Sequence, residues 1–450
     1  VTAPHFDVAV IGGGASGALV AVHFRRLASH GKLALIEAGA RAARGLAYGT
    51  PYGAHLLNVP AGRMSAIPDE PEHFLRWLCE RVPDAQASTF APRALYGDYL
   101  ADQLREAAID RIGGTAVGLT LSGAGSHAAE GGGAPLRPWL VHLQDGRIVS
   151  ATSVVLALGN LPPWDPMPLD RDVPEYLRDP WAPAAAAGLS PDAPVLFIGT
   201  GLTMIDVALA LRAEGHRGTL FALSRHGRLP ASHAPFDPKP VASVPFSTPR
   251  EALRWVREQA ATRDWRAVID ALRPHTASTW RGWSVRQRAS FLRHARNLWD
   301  VHRHRTAPSV AAHVDDLRAQ NVLRILKGHI VSLASRGGEA DVVWRPRGSE
   351  TTETLRVARV LNCTGPAGDY ARVDLPLVVH MRRAGWLTPD PLGLGVETDA
   401  DGRLLDREGN PVAGLFTLGP LRRPSLWEST AIPEIREQAV ALSRVLTAVS

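Results

Sequence analysis

Two short glycine clusters, each leading into a helix, a strand and a polar residue, are where this sequence can do chemistry. In the first, Gly12, Gly14 and Gly17 stand on the spacing GxGxxG, with Ala15 and Ser16 between them and Glu37 downstream. In the second, Gly199 and Gly201 are followed by Leu202 and Thr203, and Ser224-Arg225 occupies the place Glu37 holds in the first. A turn without side chains lets a pyrophosphate approach the backbone N–H groups and positive end of the next helix, while an acid after the next strand accepts hydrogen bonds from a ribose. A carboxylate repels a 2′-phosphate, whereas a hydroxyl and a guanidinium bind one. The first unit therefore suits FAD or NAD, and the second suits NADPH. The plain alternative for Arg225 is a solvated surface arginine.

The elements around the clusters give them their weight. With 41 glycines in 450 residues, chance alone supplies about one third of a GxGxxG per chain, so the bare pattern decides nothing. Asp7 to Ile11 reads as a buried strand, Ala18 to Leu27 as a helix and Lys32 to Ile36 as a second strand, which is the unit a dinucleotide needs. Val195 to Ile198, Ile205 to Ala213 and Thr219 to Leu223 repeat that plan. Met204 stands at the third-glycine position of the repeat, which predicts a slightly wider gap between helix and strand.

At 450 residues the chain is too long for one compact core and fits two or three domains. The pattern divides it into a first part of an FAD-binding domain over 1–165, an NADPH-binding domain over 190–355 with a helical insertion at about 245–305, and the rest of the FAD-binding domain over 356–450. The net charge of +6 is mild for this length and is explained by an anionic cofactor or substrate as well as by nucleic acid. Cys79 and Cys363 are far apart, which disfavours a disulfide scaffold, a zinc ribbon and a dithiol relay. Val1 to His5 does not resemble a signal peptide, and no apolar run is long enough to span a bilayer. The expectation is a cytoplasmic protein with no membrane partner.

Along the chain, Arg41 to Gly49 is too rich in glycine and arginine for a buried helix and reads as a loop near the cofactor. His55 to Pro60 and Met64 to Asp69 set polar residues among prolines, which suits a preformed cavity wall; the bland alternative for Asn58 is a side chain satisfying loop backbone. Gly123 to Gly133 reads as a hairpin tip, and Ser153 to Leu158 as a strand stopping at Gly159-Asn160 before a proline-rich linker.

Pro245 to Arg305 is helical and loaded with Trp255, Trp265, Trp280, Trp283 and Trp299, and with Arg281, Arg286, Arg288, Arg293 and Arg296. Such a mixture can stack on bases, but tryptophans at helical spacing favour a small core with arginines facing solvent or cofactor phosphates. His302 and His304 lie two apart, off a common helical face, so no metal is expected. Asp341 to Trp344 and Leu355 to Leu361 read as strands, the latter ending in Asn362-Cys363-Thr364-Gly365-Pro366, an echo of Leu158-Gly159-Asn160. A last strand stops at Gly419-Pro420. Ser429 or Thr430 can then cap the helix Pro433 to Ala448, whose start suits the N1/O2 edge of a reduced flavin; a plain capped surface helix is the alternative.

Two nucleotide folds of this kind resemble the two-dinucleotide-binding flavoproteins, and within them the FAD/NAD(P)-binding proteins related to flavin-containing monooxygenases and amino-acid N-hydroxylases. The resemblance rests on Gly12, Gly14, Gly17 and Glu37; on Gly45 to Tyr48, His55 to Pro60 and Met64 to Asp69; on Gly199, Gly201 and Arg225; and on Asn362 to Gly365. It departs at Met204 and at Pro420, where related flavoproteins carry an aspartate. The resemblance implies an α/β fold with two Rossmann-like domains, the NADPH domain inserted in the FAD domain. It implies FAD contacts at Tyr48, Met64, Gly159, Gly365 and Gly419, with Ser429 and Thr430 at the pyrimidine edge. It places Asn58 near flavin and nicotinamide as the catalytic candidate. The activity implied is oxidation of a small amine, amino acid or other soft nucleophile by NADPH and dioxygen through a flavin C4a-hydroperoxide. The competing classes are a reductase serving a quinone or protein acceptor, and a non-catalytic flavoprotein that uses its basic insert on RNA.

Overall fold

In this computed structural model the described residues are 4–39, 41–123, 137–168, 173–182 and 185–449. The expected hairpin tip at Gly123 to Gly133 therefore falls almost entirely outside them. Among the described residues, no helix is long and apolar enough to cross a membrane.

The elements used below are, in chain order, β1 (His5–Ile11), α1 (Ala15–Leu27), β2 (Leu33–Glu37), α2 (Arg93–Glu106), β3 (Ile148–Leu156), β4 (Val195–Ile198), α3 (Leu202–Ala213), β5 (Leu220–Ser224), α4 (Pro249–Ala260), α5 (Trp265–Leu272), α6 (Val285–His294), α7 (Arg296–Arg303), β6 (Leu323–Arg336), β7 (Arg359–Asn362), β8 (Pro411–Thr417) and α8 (Ile432–Val449). They form a mixed α/β structure around two sheets.

In the first sheet β1 lies between β2 and β3, all parallel, and β8 adds to the far side of β3. β1 is apolar on both faces because helices cover one side and a second apolar layer the other, so Val8, Ala9 and Val10 are fully buried. The second sheet repeats the arrangement, with β4 between β5 and β7 and β6 beyond β5.

The likeness of the two units extends to single backbone contacts. Gly12 and Gly199 have φ of +108° and +116°, and a Cβ on either would meet the carbonyl oxygen of Ala157 at 2.3 Å or of Cys363 at 2.5 Å. Ala157-Leu158-Gly159 therefore does for the first turn what Cys363-Thr364-Gly365 does for the second. β7 pairs in parallel with β4 by backbone hydrogen bonds, as does Tyr176–Leu177 with β7, so the second sheet takes in residues on both sides of 190–355.

The two turns part company at their third position. A Cβ on Gly17 would lie 1.9 Å from the Gly12 carbonyl oxygen, whereas Met204 is fully buried in the core of the second unit. Arg41 to Gly49 also differs from the loop expected, since Gly45–Tyr48 forms one helical turn.

Candidate functional site

The site is a chain of three cavities. The outer, about 750 Å³, is lined by Glu37, Arg41, Arg44 and Gly45. The middle, about 440 Å³, is lined by Tyr48, His55, Asn58, Met64, Arg93 and Asp206. The inner, about 790 Å³, is lined by Gly199, Gly201, Ser224, Arg225 and Arg228. Leu46, Thr50 and Trp181 are common to outer and middle, and Asn58, Asn160, Leu202, Thr203, His304, Gly365 and Thr430 to middle and inner. The three cavities thus adjoin one another between the acid of the first unit and the arginine of the second.

At the outer end, helix α1 starts on Gly14 with no side-chain cap, so its first amides are left for a ligand. Glu37 reaches back over the turn, accepting from Gly13 N at 2.6 Å and from Gly39 N at 2.8 Å. The carboxylate is thereby fixed beside the glycine turn with lone pairs to spare for a ribose. Gly45 closes over the turn, as a Cβ on it would lie 3.3 Å from Gly14 Cα. Gly419 crowds the start of α1 from behind, its own Cβ position being 2.9 Å from Ser16 Oγ. Gly12, Gly14, Ala15, Ser16, Gly17, Gly159 and Gly419 therefore shape the turn and the start of α1, and none of them lines the three cavities.

At the inner end, α3 also starts uncapped, on Gly201, with open space around the Cβ position. Thr200 Oγ1 donates to Arg228 O at 2.6 Å, so the 3.0 Å contact between Thr200 and Ser224 hydroxyls spends the Ser224 proton. Ser224 then accepts from Gly227 N at 3.0 Å. It braces the loop and has no proton left to donate to a ligand, while Arg225 beside it is exposed and makes no side-chain hydrogen bond or ion pair among the described residues. Arg228, Arg296 and Arg423 also line this cavity against the acids Asp300 and Glu428, an excess of positive charge that favours an anionic ligand.

Asn58 lines both middle and inner cavities, and its backbone is pinned. His233 Nε2 donates to its carbonyl at 3.0 Å, and Arg93 Nε holds the carbonyl of Leu56 at 2.9 Å. Burial, with Arg305, Arg266 and Arg63 nearby, pulls His233 down to about 4 in spite of the hydrogen bond to Asn58. The unfolded histidine binds a proton near pH 6.5 and the folded one only near 4, so its contribution to stability is complete above 6.5 and lost as pH falls towards 4. Thermal midpoints measured between those pH values are expected to fall, and His233→Gln to fall less.

Several of these residues had no signal in the sequence. His304 is the one ionisable side chain among the described residues common to the middle and inner cavities, with Asp300 Oδ1 at 3.9 Å and Glu428 Oε1 at 4.0 Å. Burial alone would raise the Glu428 carboxyl, but Arg303, His304, Trp299 and Arg423 hold it below its usual range. Arg303 spans Glu428 at 3.3 Å and Glu434 at 2.9 Å, and Arg273 meets Glu434 at 3.0 Å. These pairs tie the helical insertion to the start of α8.

The insertion itself corrects part of its expected role. Arg296 reaches the inner cavity, Arg288 donates to the carbonyls of Trp280 and Trp283, and Arg281, Arg286 and Arg293 are exposed. The capping expectation also changes. α8 begins at Ile432, directly after Ala431, while Ser429 Oγ is buried without a partner and Thr430 is exposed at the cavities.

Residues 9–161 match the family model described as FAD-NAD(P)-binding. No curated protein sequence matches the chain. Among solved structures it is similar to L-lysine 6-monooxygenase from Pseudomonas syringae, at 16% identity and a TM-score of 0.69 over 99% of this chain and 100% of that one. The ornithine N-hydroxylase of Kutzneria sp. 744, solved with reduced FAD, NADP+ and L-ornithine, gives 15% and 0.66 over 99% of both chains. The FAD-bound cadaverine monooxygenase of Erwinia amylovora gives 12% and 0.62 over 100% of this chain and 95% of that one. The whole chain thus has the two-dinucleotide-binding flavoprotein fold.

Proposed function

We propose that this chain, whose fold is that of the two-dinucleotide-binding flavoproteins and whose first third matches an FAD-NAD(P)-binding family, is an FAD-dependent, NADPH-using monooxygenase acting on an amine or another soft nucleophile. The observation that carries the reading is the row of three adjoining cavities between Glu37 and Arg225, two of which share Asn58 and His304 in their linings. It has the form needed by two dinucleotides that meet head to head.

The residues fit both groups. Gly12 and Gly17 leave no room for side chains at the first turn, Glu37 is oriented to accept from a ribose, and α1 offers its bare N-terminus to a pyrophosphate. Bound FAD would supply the redox chemistry, taking a hydride from NADPH and passing one oxygen atom of dioxygen to the nucleophile. For an amine the balance is one NADPH, one dioxygen and one proton consumed for one hydroxylamine and one water. Arg225 would hold the 2′-phosphate of NADPH by charge-assisted hydrogen bonds. Asn58 offers its side-chain amide at the meeting point, oriented by the clamps on its loop. His304 can carry a proton at the same place, beside Asp300 and Glu428. Dioxygen and a small-molecule substrate complete the set of partners, and the reaction places the protein in the cytoplasm with its NADPH.

Two measurements test this. With isotopic dioxygen, one labelled oxygen atom should appear in the product for each NADPH consumed; NADPH oxidation without labelled product, with fast quinone reduction under nitrogen, would assign the chain to the reductases. Arg225→Ala removes a charged hydrogen bond of about 1.5 to 3 kcal/mol, so kcat/KM for NADPH should fall roughly 10- to 150-fold while that for NADH barely moves. An unchanged preference would exclude the phosphate role.

A further inference from the structure

Behind the inner cavity lies a second chamber of different character. It measures about 320 Å³, sits inside the helical insertion and is walled by aromatic rings, among them Trp265, Trp280, Trp283 and Phe291. No carboxylate lines it. The wall between chamber and cleft is α7, eight residues long. Leu298, Trp299 and His302 face the chamber, while Arg296, Asn297 and Asp300 face the cleft.

Trp427 lines both spaces. It holds φ +61°, a conformation rare for a bulky residue, with its ring stacked on Trp280 at 4.8 Å and set edge-on to Phe291 at 5.2 Å. Directly after it come Glu428 and Thr430, which line the cleft. On the opposite side α4 covers the chamber. It carries its own capping box, Thr248 with Glu251, and none of its residues is fully buried, yet Ala252, Leu253, Val256 and Ala260 all face the chamber. That apolar stripe, with Arg257 beside it, lies against the chamber and the neighbouring helices α5 and α6. Among the described residues Trp283 Nε1 and Trp427 Nε1 have no acceptor, although buried indoles ordinarily find one.

We propose that this chamber holds the apolar body of the substrate: a ring-bearing amine with a neutral hydrogen-bond acceptor, its nitrogen directed past Trp427 into the cleft. The volume matches a small drug-sized ligand, the rings offer stacking surface, and the two free indole N–H groups call for an acceptor on the guest. A cationic diamine or a diamino acid would bury its second charge there with no carboxylate to pair it, at a cost that excludes it. The proposal rests on the monooxygenase reading for what happens to the nitrogen, but binding can be read without turnover.

The experiment uses the FAD-loaded, oxidised protein without NADPH, with tryptamine, 5-methoxytryptamine, cadaverine and L-ornithine as probes and isothermal titration calorimetry as the readout. Tryptamine and its methoxy form are expected to bind about 100-fold tighter than either aliphatic probe, the methoxy form the tighter of the two. Val256→Trp, which fills the chamber from α4, should weaken both indole amines at least about tenfold, with flavin content and thermal midpoint as its folding controls. Should that variant fail the controls, Val256→Ser serves in its place and should weaken both amines by about threefold.

Cadaverine or L-ornithine binding as tightly as tryptamine would overturn the proposal, as would indole binding that a folded variant leaves unchanged. A concentration-dependent dimer abolished by Val256→Trp would give the face to a second copy of the chain and overturn it equally. Tight indole binding with no labelled product would leave the chamber standing and remove the monooxygenase reading, while labelled product from cadaverine alone would do the reverse.

Discussion

Gly17→Ala is expected to yield protein largely free of flavin. Two effects oppose each other at this position, and their sizes decide the outcome. Gly17 lies inside α1, where alanine is favoured over glycine by about 1 kcal/mol, so helix propensity alone predicts a more stable protein. Against that, the new Cβ would lie 1.9 Å from the Gly12 carbonyl oxygen, with Val10 Cγ1 at 3.3 Å. The helix must retreat by about 1.5 Å to restore ordinary contact, and the carbonyl it retreats from belongs to the turn proposed to cradle the pyrophosphate. The retreat also presses on Gly419, which already crowds Ser16. Flavin content by absorbance and the thermal midpoint with and without added FAD measure the result. Full flavin content at the parental midpoint would remove the steric account of the first turn. Met204 marks the contrast, because the second unit buries a long side chain where the first admits none.

Arg93→Ala should be the most damaging single change away from the glycine turns. Arg93, at the start of α2, makes two hydrogen bonds to Asp206 on α3, at 2.6 and 3.1 Å, and the side chains are only 16% and 8% exposed. The pair joins the first unit to the second. Removing the guanidinium strands a buried carboxylate, which costs about 3 to 5 kcal/mol. It also frees the carbonyl of Leu56, two residues before Asn58. His55 fastens the same loop to the same helix, bonding Asp206 O at 2.8 Å and Thr50 Oγ1 at 2.7 Å, and burial lowers its pKa. Denaturant titration should show the full loss in Arg93→Ala and most of it recovered in Arg93→Met/Asp206→Leu, since replacing both partners removes the stranded charge. If the double variant is no better than the single one, the energy lies in the packing of the loop and not in the ion pair.

The amino-acid order alone determined the two glycine turns, the strands and helices beside them, and the places of the acid and the arginine proposed to tell their nucleotides apart. Each of these is local: a turn needs glycine where a Cβ would strike backbone, and a strand buried on both faces needs an unbroken apolar run. Asn58 was legible too, within a loop whose prolines and polar residues suit a cavity wall.

Only the tertiary structure decided the rest, because it depends on residues that meet from distant parts of the chain. β7 joined the second sheet by pairing with β4, which no local pattern specifies. Ser224 lost its donor to Thr200, and Ser429 its capping role to the point at which α8 begins. His304, set aside when its spacing from His302 was weighed for a metal, gained its place from the two cavities that converge on it. The tryptophans of the insertion read correctly as core formers, but that they line a chamber with the cleft on its other side follows from how the short helices of the insertion pack, and packing is a property of faces brought together and not of the order in which they are written.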